Sequence, residues 1–260
     1  MVERNNIAAI IAGYVDVSLN DVIGETSFVV WFCGCNFRCP YCQNFPMVIL
    51  SPKLCKKTFL STIIRRLIEV KNFVNYIQVT GGEPTLQSQQ LQYIYEKAKE
   101  LGLKTSLDTN GSNPQVIDIL KEKKLIDHLA MDIKSPLNVH KLARVTGLAE
   151  EIASIYVDRI KKSLSVSKEL EFVEIRTTYV PNLLSEKDII RIAIFLQEYL
   201  VKPRHYYILQ QFIPNENAPE PSYRKGRVVG LEKLYAIAKK VREFLPNVAI
   251  RHIGGVKYID

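Results

Sequence analysis

The chain has 260 residues, 47% of them apolar and 24% charged, enough apolar material to bury a substantial core in one large unit. No apolar run approaches the roughly 20 residues that span a bilayer, and the N-terminal stretch lacks the basic start and small-residue cleavage site of a signal peptide. Both argue against a membrane or secreted protein and make a reducing cytoplasm the expected setting. Five cysteines are too sparse for a disulfide framework. The formal charge of +8 is uneven, because residues 201–260 carry 11 Lys or Arg against 5 Asp or Glu; that surface suits an acidic partner or nucleic acid, or is simply solvated.

In chain order, residues 27–32 form a short apolar run of strand type that delivers a cysteine-rich loop at its C-terminal end. Residues 58–71 repeat apolar side chains at helical spacing (Leu60, Ile63, Ile64, Leu67, Ile68), with Thr58 as the expected cap. A strand over 76–80, a helix over 87–101 ended by Gly102, and a strand over 104–107 follow. Next come a helix over 115–123, a strand over 128–133, a helix over 152–164 and a β-branched strand over 171–179. Ser185, with Lys187 and Asp188 after it, opens a helix running to about Leu200. Strands over 206–212 and 248–251 flank a helix over 231–244. Strands alternating with helices of this length argue for parallel β-α-β units, and we expect an α/β fold of the partial, open β/α-barrel kind with about six parallel strands.

Such barrels carry their chemistry on the loops after the strands, and four motifs fall there. Cys35, Cys39 and Cys42 stand at C-x-x-x-C-x-x-C spacing in Trp31-Phe32-Cys33-Gly34-Cys35-Asn36-Phe37-Arg38-Cys39-Pro40-Tyr41-Cys42. Three thiolates hold three corners of a four-iron, four-sulfur cube and leave one iron open, whereas such cubes are ordinarily closed by four ligands. With Cys33 the same thiols also fit a structural zinc knuckle. Gly81-Gly82-Glu83-Pro84 follows the strand over 76–80; two residues without Cβ let a ligand approach the backbone, although a Gly-Gly alone is more often a turn. Asp108-Thr109-Asn110-Gly111 and Met131-Asp132-Ile133-Lys134 close two further strands, and each alone reads as a turn or an edge ion pair.

The cysteine spacing, with an aromatic residue (Tyr41) before the last cysteine, resembles the signature of the radical S-adenosylmethionine (SAM) superfamily. Together with G-G-E-P, D-T-N-G and D-I-K, the chain is similar to the glycyl-radical-enzyme activating proteins of that superfamily, above all to the anaerobic ribonucleoside-triphosphate reductase activating type. The likeness covers most of the chain from about Gly13. It implies a single radical SAM domain over 1–260, with an N-terminal extension (1–26), a barrel core (27–212) and a basic C-terminal segment (213–260).

It also implies a [4Fe-4S] cluster on Cys35, Cys39 and Cys42 whose open iron takes the amino and carboxylate groups of SAM. Gly81, Gly82 and Glu83 would serve the methionyl amino side and Lys134 the SAM carboxylate, with Tyr41 a further cofactor-binding residue. Asp108, Asn110 and Asp132 would line the ribose or carboxylate side, and Arg176 is a further candidate. The partners implied are a glycyl radical enzyme such as anaerobic ribonucleotide reductase, and flavodoxin or ferredoxin as electron donor. Formate-lyase activators tend to carry a histidine near Gln210-Gln211-Phe212-Ile213; its absence here argues against pyruvate formate-lyase as the partner. A radical SAM reaction on a tRNA base or small molecule is the alternative, drawing on the basic C-terminal segment. Cys33 and Cys55 are expected to be buried apolar cysteines. The four histidines are expected to be structural or superficial, and Trp31, Phe32 and Phe37 to be packing residues.

Overall fold

The computed structural model describes residues 7–226 and 228–260. The first six residues of the expected N-terminal extension, and Arg227 of the basic segment, lie outside the described residues. In chain order the elements are β1 (Ala8–Ser18), β2 (Ser27–Phe32), α1 (Phe45–Val48), β3 (Lys56–Phe59), α2 (Leu60–Val70), β4 (Tyr76–Gly81), α3 (Ser88–Glu100), β5 (Lys104–Thr109) and α4 (Pro114–Glu122). They continue with β6 (His128–Asp132), α5 (Val139–Thr146), α6 (Glu150–Ser167), β7 (Phe172–Tyr179), α7 (Glu186–Leu196), β8 (His205–Gln211), α8 (Leu231–Arg242), β9 (Val248–His252) and β10 (Gly255–Ile259). Among the described residues no helix is long and apolar enough to cross a membrane.

The chain divides into two compact units. The first takes residues up to 36, 46–109 and 115–130, and the second takes 37–45, 110–114 and 131–260. In the first, strands run in the order β5-β4-β2-β1-β3. β2, β4 and β5 are parallel, and their register brings Phe32 level with Gly81 and Val79 level with Leu107. β2 is buried on nearly its whole length because helices and sheet neighbours leave neither face to water, which is why its sequence is a continuous apolar run rather than an alternating one. α2 buries Leu60, Ile63, Leu67 and Val70, and α3 buries Leu91, Ile94, Tyr95 and Ala98, in each case one stripe at helical spacing.

In the second unit the order is β10-β9-β8-β7, with β7, β8 and β9 parallel and β10 antiparallel to β9. β6 gives its first three residues to the first unit and its last two to the second, where Ile133 N–H bonds to Arg176 O at 2.9 Å. α7 opens on Ser185 as expected: the Asp188 N–H donates to the Ser185 hydroxyl at 3.2 Å, and the Ser185 N–H donates to the Asp188 carboxylate at 2.9 Å.

Six strands stand in these parallel pairs, and the antiparallel additions were not foreseen. β1 lies in the stretch read as an extension, pairing with both β2 and β3. Thr58 does not cap α2: it sits in β3, its hydroxyl turned to Lys56 O at 3.4 Å, and the helix begins at Leu60 without a side-chain cap. Among the described residues β3 (Lys-Lys-Thr-Phe) is an edge strand paired with β1, and the charge that suits an edge strand also hides it from a hydrophobic pattern. α5 was missed too, although Asn138 caps it through the Lys141 N–H and Gly147 ends it in the left-handed region.

Candidate active site

In the first unit the register of β2 against β4 sets two loops side by side. The Gly82 N–H donates to Phe32 O at 2.8 Å, and the Glu83 N–H donates to Gly34 O at 2.8 Å, so the turn after β4 is laced to the residues leading into Cys35. The approach is so close that only glycine fits. A Cβ on Gly81 would stand 2.2 Å from Phe32 O, and one on Gly82 would stand 2.1 Å from Gly34 O and 3.4 Å from Cys35 Cβ. Gly81 also adopts φ +121°, a region closed to other L-residues, whereas Gly82 is there for space alone.

Glu83 is fully buried. Its carboxylate accepts from Thr85 N–H at 3.1 Å, from the Thr85 hydroxyl, and from the Thr109 hydroxyl at the end of β5 at 2.8 Å. Pro84 then occupies the first position of the short 3-10 turn that Glu83 caps, where the absent N–H costs nothing. The glutamate of G-G-E-P therefore fixes the shape of its own loop. Asp108, half-buried on β5, accepts from the Thr80 hydroxyl at 2.8 Å.

The second unit holds the loop 37–45, with Cys39 buried and Cys42 half-buried. The Cys42 N–H turns back to Cys39 O at 3.1 Å, the Arg38 N–H donates to Thr146 O at 2.8 Å, and Pro40 O accepts from Glu220 N–H at 3.1 Å. Tyr41 meets Phe212 and Tyr223 edge to face, with centroids 6.4 and 6.3 Å away, and these two rings meet each other at 5.8 Å. Lys134 pairs with Asp132 at 2.7 Å. Burial alone would lower its pKa, but Asp132, with Tyr41 and Cys39, holds the ammonium well above its ordinary value. Burial pushes the Cys42 thiol up, against the pull of Lys134. Tyr41, Cys39, Cys42, Asp132 and Lys134 thus share one electrostatic neighbourhood.

Two candidates are engaged otherwise. Asn110 is buried with its side-chain oxygen accepting from Ser112 N–H at 2.9 Å, so it shapes the turn after β5. Arg176 is 4% exposed and pairs at 2.8 Å with the fully buried Glu174, which Arg251 also reaches at 3.2 Å. Glu174, Arg251, Thr85, Thr109 and the Phe212–Tyr223 pair were not singled out by sequence. Thr85, as the residue after the proline of G-G-E-P, and Thr109, inside D-T-N-G, had a local signal there.

The expectation for the two remaining cysteines is corrected. Cys33 and Cys55 are buried, but they are bonded to each other in a disulfide with Cα atoms 6.1 Å apart, and are not separate thiols. β1, β2 and β3 bring residues far apart in sequence together at this edge, a proximity no spacing rule announces. The zinc-knuckle alternative loses its fourth ligand with Cys33. The donor set left is three cysteine thiols, Cys35, Cys39 and Cys42, a number that fits a cube with one open iron and falls short of the four thiolates of a structural zinc site.

A glycine-only turn laced to the strand end that leads into Cys35, and thiols at this spacing, define an α/β enzyme of the partial, open β/α-barrel type that uses an iron–sulfur cluster. The chain belongs to the radical SAM superfamily, whose sequence profile matches residues 29–196. The superfamily's cofactors, a [4Fe-4S] cluster and SAM, are those of this enzyme. The chain is 34% identical to a protein of Methanocaldococcus jannaschii provisionally assigned as a glycyl-radical enzyme activating enzyme, over 95% of this chain and 98% of the relative. It is 28% identical to the pyruvate formate-lyase-activating enzyme of Streptococcus mutans, over 68% of this chain and 71% of that one. The fold is shared with Streptococcus suis SuiB, solved with SAM bound: TM-score 0.61, 15% identity, 86% of this chain and 51% of SuiB, so the chain spans about half of that protein.

Proposed function

We propose that this radical SAM enzyme activates a glycyl radical enzyme by taking a hydrogen atom from the Cα of a glycine in that partner. The observation that carries the reading is the 34% identity running over nearly the full length of both this chain and the M. jannaschii protein provisionally assigned as an activating enzyme. When bound, the cluster and SAM supply one-electron cleavage of the sulfonium C5′–S bond, giving methionine and a 5′-deoxyadenosyl radical.

The protein's own part is to hold and orient. Cys35, Cys39 and Cys42 would ligate three irons. The backbone at Gly81 and Gly82, laid bare by the missing side chains, would receive the methionyl amino group, with Glu83 keeping that turn in shape from beneath. Lys134, with Asp132 beside it, would meet the SAM carboxylate. Asp108 would serve the ribose side, with Asn110 and Arg176 acting through the turns and strands they brace. Tyr41 would line the cluster. No side chain is needed as general base; keeping water out matters more, which suits a set of buried and half-buried residues with none exposed. The remaining partners would be flavodoxin or ferredoxin as reductant, in the cytoplasm.

The test is isotopic. Anaerobically reconstituted protein is mixed with SAM, a low-potential reductant and a glycyl radical enzyme whose loop glycine carries deuterium at Cα. The expected result is deuterium in the 5′-deoxyadenosine formed. Abundant 5′-deoxyadenosine that stays free of label with each candidate partner, but acquires it from labelled tRNA or a small molecule, would reject this reading in favour of the other.

A further inference from the structure

Cys33 and Cys55, 22 residues apart in sequence, close a ring of chain, and all three thiols of the C-x-x-x-C-x-x-C motif lie inside it. Cys33 directly follows β2 and stands two residues before Cys35. Its backbone is gripped on both sides: its N–H donates to Ile10 O at 2.9 Å, and its carbonyl accepts from the Gln87 amide at 3.1 Å. Gln87 is itself tied to Ile10 by two bonds, accepting from the N–H at 2.8 Å and donating to the carbonyl at 2.9 Å. Gly34 continues the pattern, donating to Met47 O at 2.9 Å and accepting from the Glu83 N–H at 2.8 Å. The disulfide is the covalent member of this set.

We propose that the Cys33–Cys55 disulfide is a positioning element for Cys35: it holds the start of the cluster loop against the Gly81–Gly82–Glu83 turn, so that retention of the cluster depends on a pair of sulfurs that bind no iron. The inference rests on Cys35 as an iron ligand and is independent of which substrate the enzyme takes. Its physical basis is chain freedom. A closed loop samples fewer conformations when unloaded than an open one, so less order has to be imposed when iron binds and less is regained when it leaves.

Opening the bond is a two-electron thiol–disulfide exchange with a dithiol. A thiolate attacks one sulfur, the S–S bond breaks, and the second thiol of the reagent resolves the mixed disulfide. The protein ends with two thiols and their two protons, while the reagent ends as a disulfide. Cys55, 9% exposed and followed by Lys56 and Lys57, is the sulfur within reach, while Cys33 is 2% exposed. The released leaving group is then the Cys33 thiolate, next to the loop it restrains.

The experiment uses full-length protein purified anaerobically without added thiol. Maleimide labelling of the denatured apo protein should modify three of the five cysteines, and all five after dithiol treatment. After cluster reconstitution, iron release to a ferrous chelator should be roughly tenfold faster from dithiol-treated protein than from untreated protein. Reoxidation with oxidised glutathione should restore the slow rate. The Cys33→Ser/Cys55→Ser double variant should release iron at the fast rate and respond to neither reagent. Five reactive cysteines at the outset, equal release rates in the open and closed forms, or a dithiol response in the double variant would each overturn the proposal. Neither measurement involves a substrate, so failure of the glycyl-radical reading would leave the outcome legible.

Discussion

Replacing Gly82 with alanine would set a methyl carbon 2.1 Å from the carbonyl oxygen of Gly34 and 2.7 Å from its carbonyl carbon, and both are backbone atoms with no rotamer to escape into. The two segments would have to separate by about 1 Å, which breaks the 2.8 Å bond from Glu83 N–H to Gly34 O. That loss is worth about 0.5–1.5 kcal/mol, and the overpacking strain adds about 1–3 kcal/mol, so Gly82→Ala should destabilise the protein by about 1.5–4.5 kcal/mol. No conformational penalty enters, because Gly82, unlike Gly81, is not in the left-handed region. Gly230→Ala is the comparison, since a Cβ there meets nothing within 4 Å and φ is −61°; it should cost no more than ~1 kcal/mol, the effect of alanine at the N-cap of α8. Urea unfolding of the apo protein at 25 °C gives the stability, and iron content with SAM affinity after reconstitution gives the effect on the site. A Gly82→Ala protein as stable as Gly230→Ala, with wild-type SAM affinity, would refute the argument that this contact shapes the site.

Cys39→Ser should abolish iron–sulfur absorbance and SAM cleavage, whereas Cys55→Ser, which only opens the disulfide, should still assemble a cluster and lose its iron faster; a full cluster in the Cys39 variant would reassign the ligands. Lys134→Ala should keep the cluster and weaken SAM binding by about tenfold or more, as expected for loss of a charged hydrogen-bond partner, and equilibrium binding checks it. Asp188 is held below the ordinary carboxylate range: burial pushes it up, but the Ser185 N–H, the Lys141 ammonium and the Ser185 hydroxyl together outweigh that. Its folded pKa is therefore below the unfolded value of about 3.9, so its contribution is present above about pH 4 and is lost as pH falls through the folded value. Asp188→Asn should cost about 1–3 kcal/mol at pH 7, with the gap to wild type narrowing below about pH 4 in denaturant titrations.

The parallel strands were legible because burial on both faces writes itself as a nearly continuous apolar run in β2 and as β-branched and aromatic residues around Gln78 and Thr80 in β4, and because turn chemistry follows each of them. The motif residues were legible for the same reason: they sit where those strands stop. What stayed hidden depends on contacts between distant segments. β1 shows apolar residues on both sides without a clean alternation, β3 is too short and too basic to register, and β10 declares itself only by pairing with β9. Glu83 could be named from its motif, but that its carboxylate is spent on Thr85 and Thr109 follows from the meeting of β4 and β5. The Cys33–Cys55 bond is the sharpest case, since sparse cysteines and an expected reducing setting both pointed away from it.

The segment carrying Cys39 and Cys42 finds its packing partners late in the chain: Thr146 for Arg38, Phe212 and Tyr223 for Tyr41, and Glu220 for Pro40. A ribosome has to pass residue 223 before those anchors exist. On the proposed ligand set, metal loading would belong to the finished polypeptide, since a nascent or C-terminally truncated product would present Cys39 and Cys42 on a stretch without these partners.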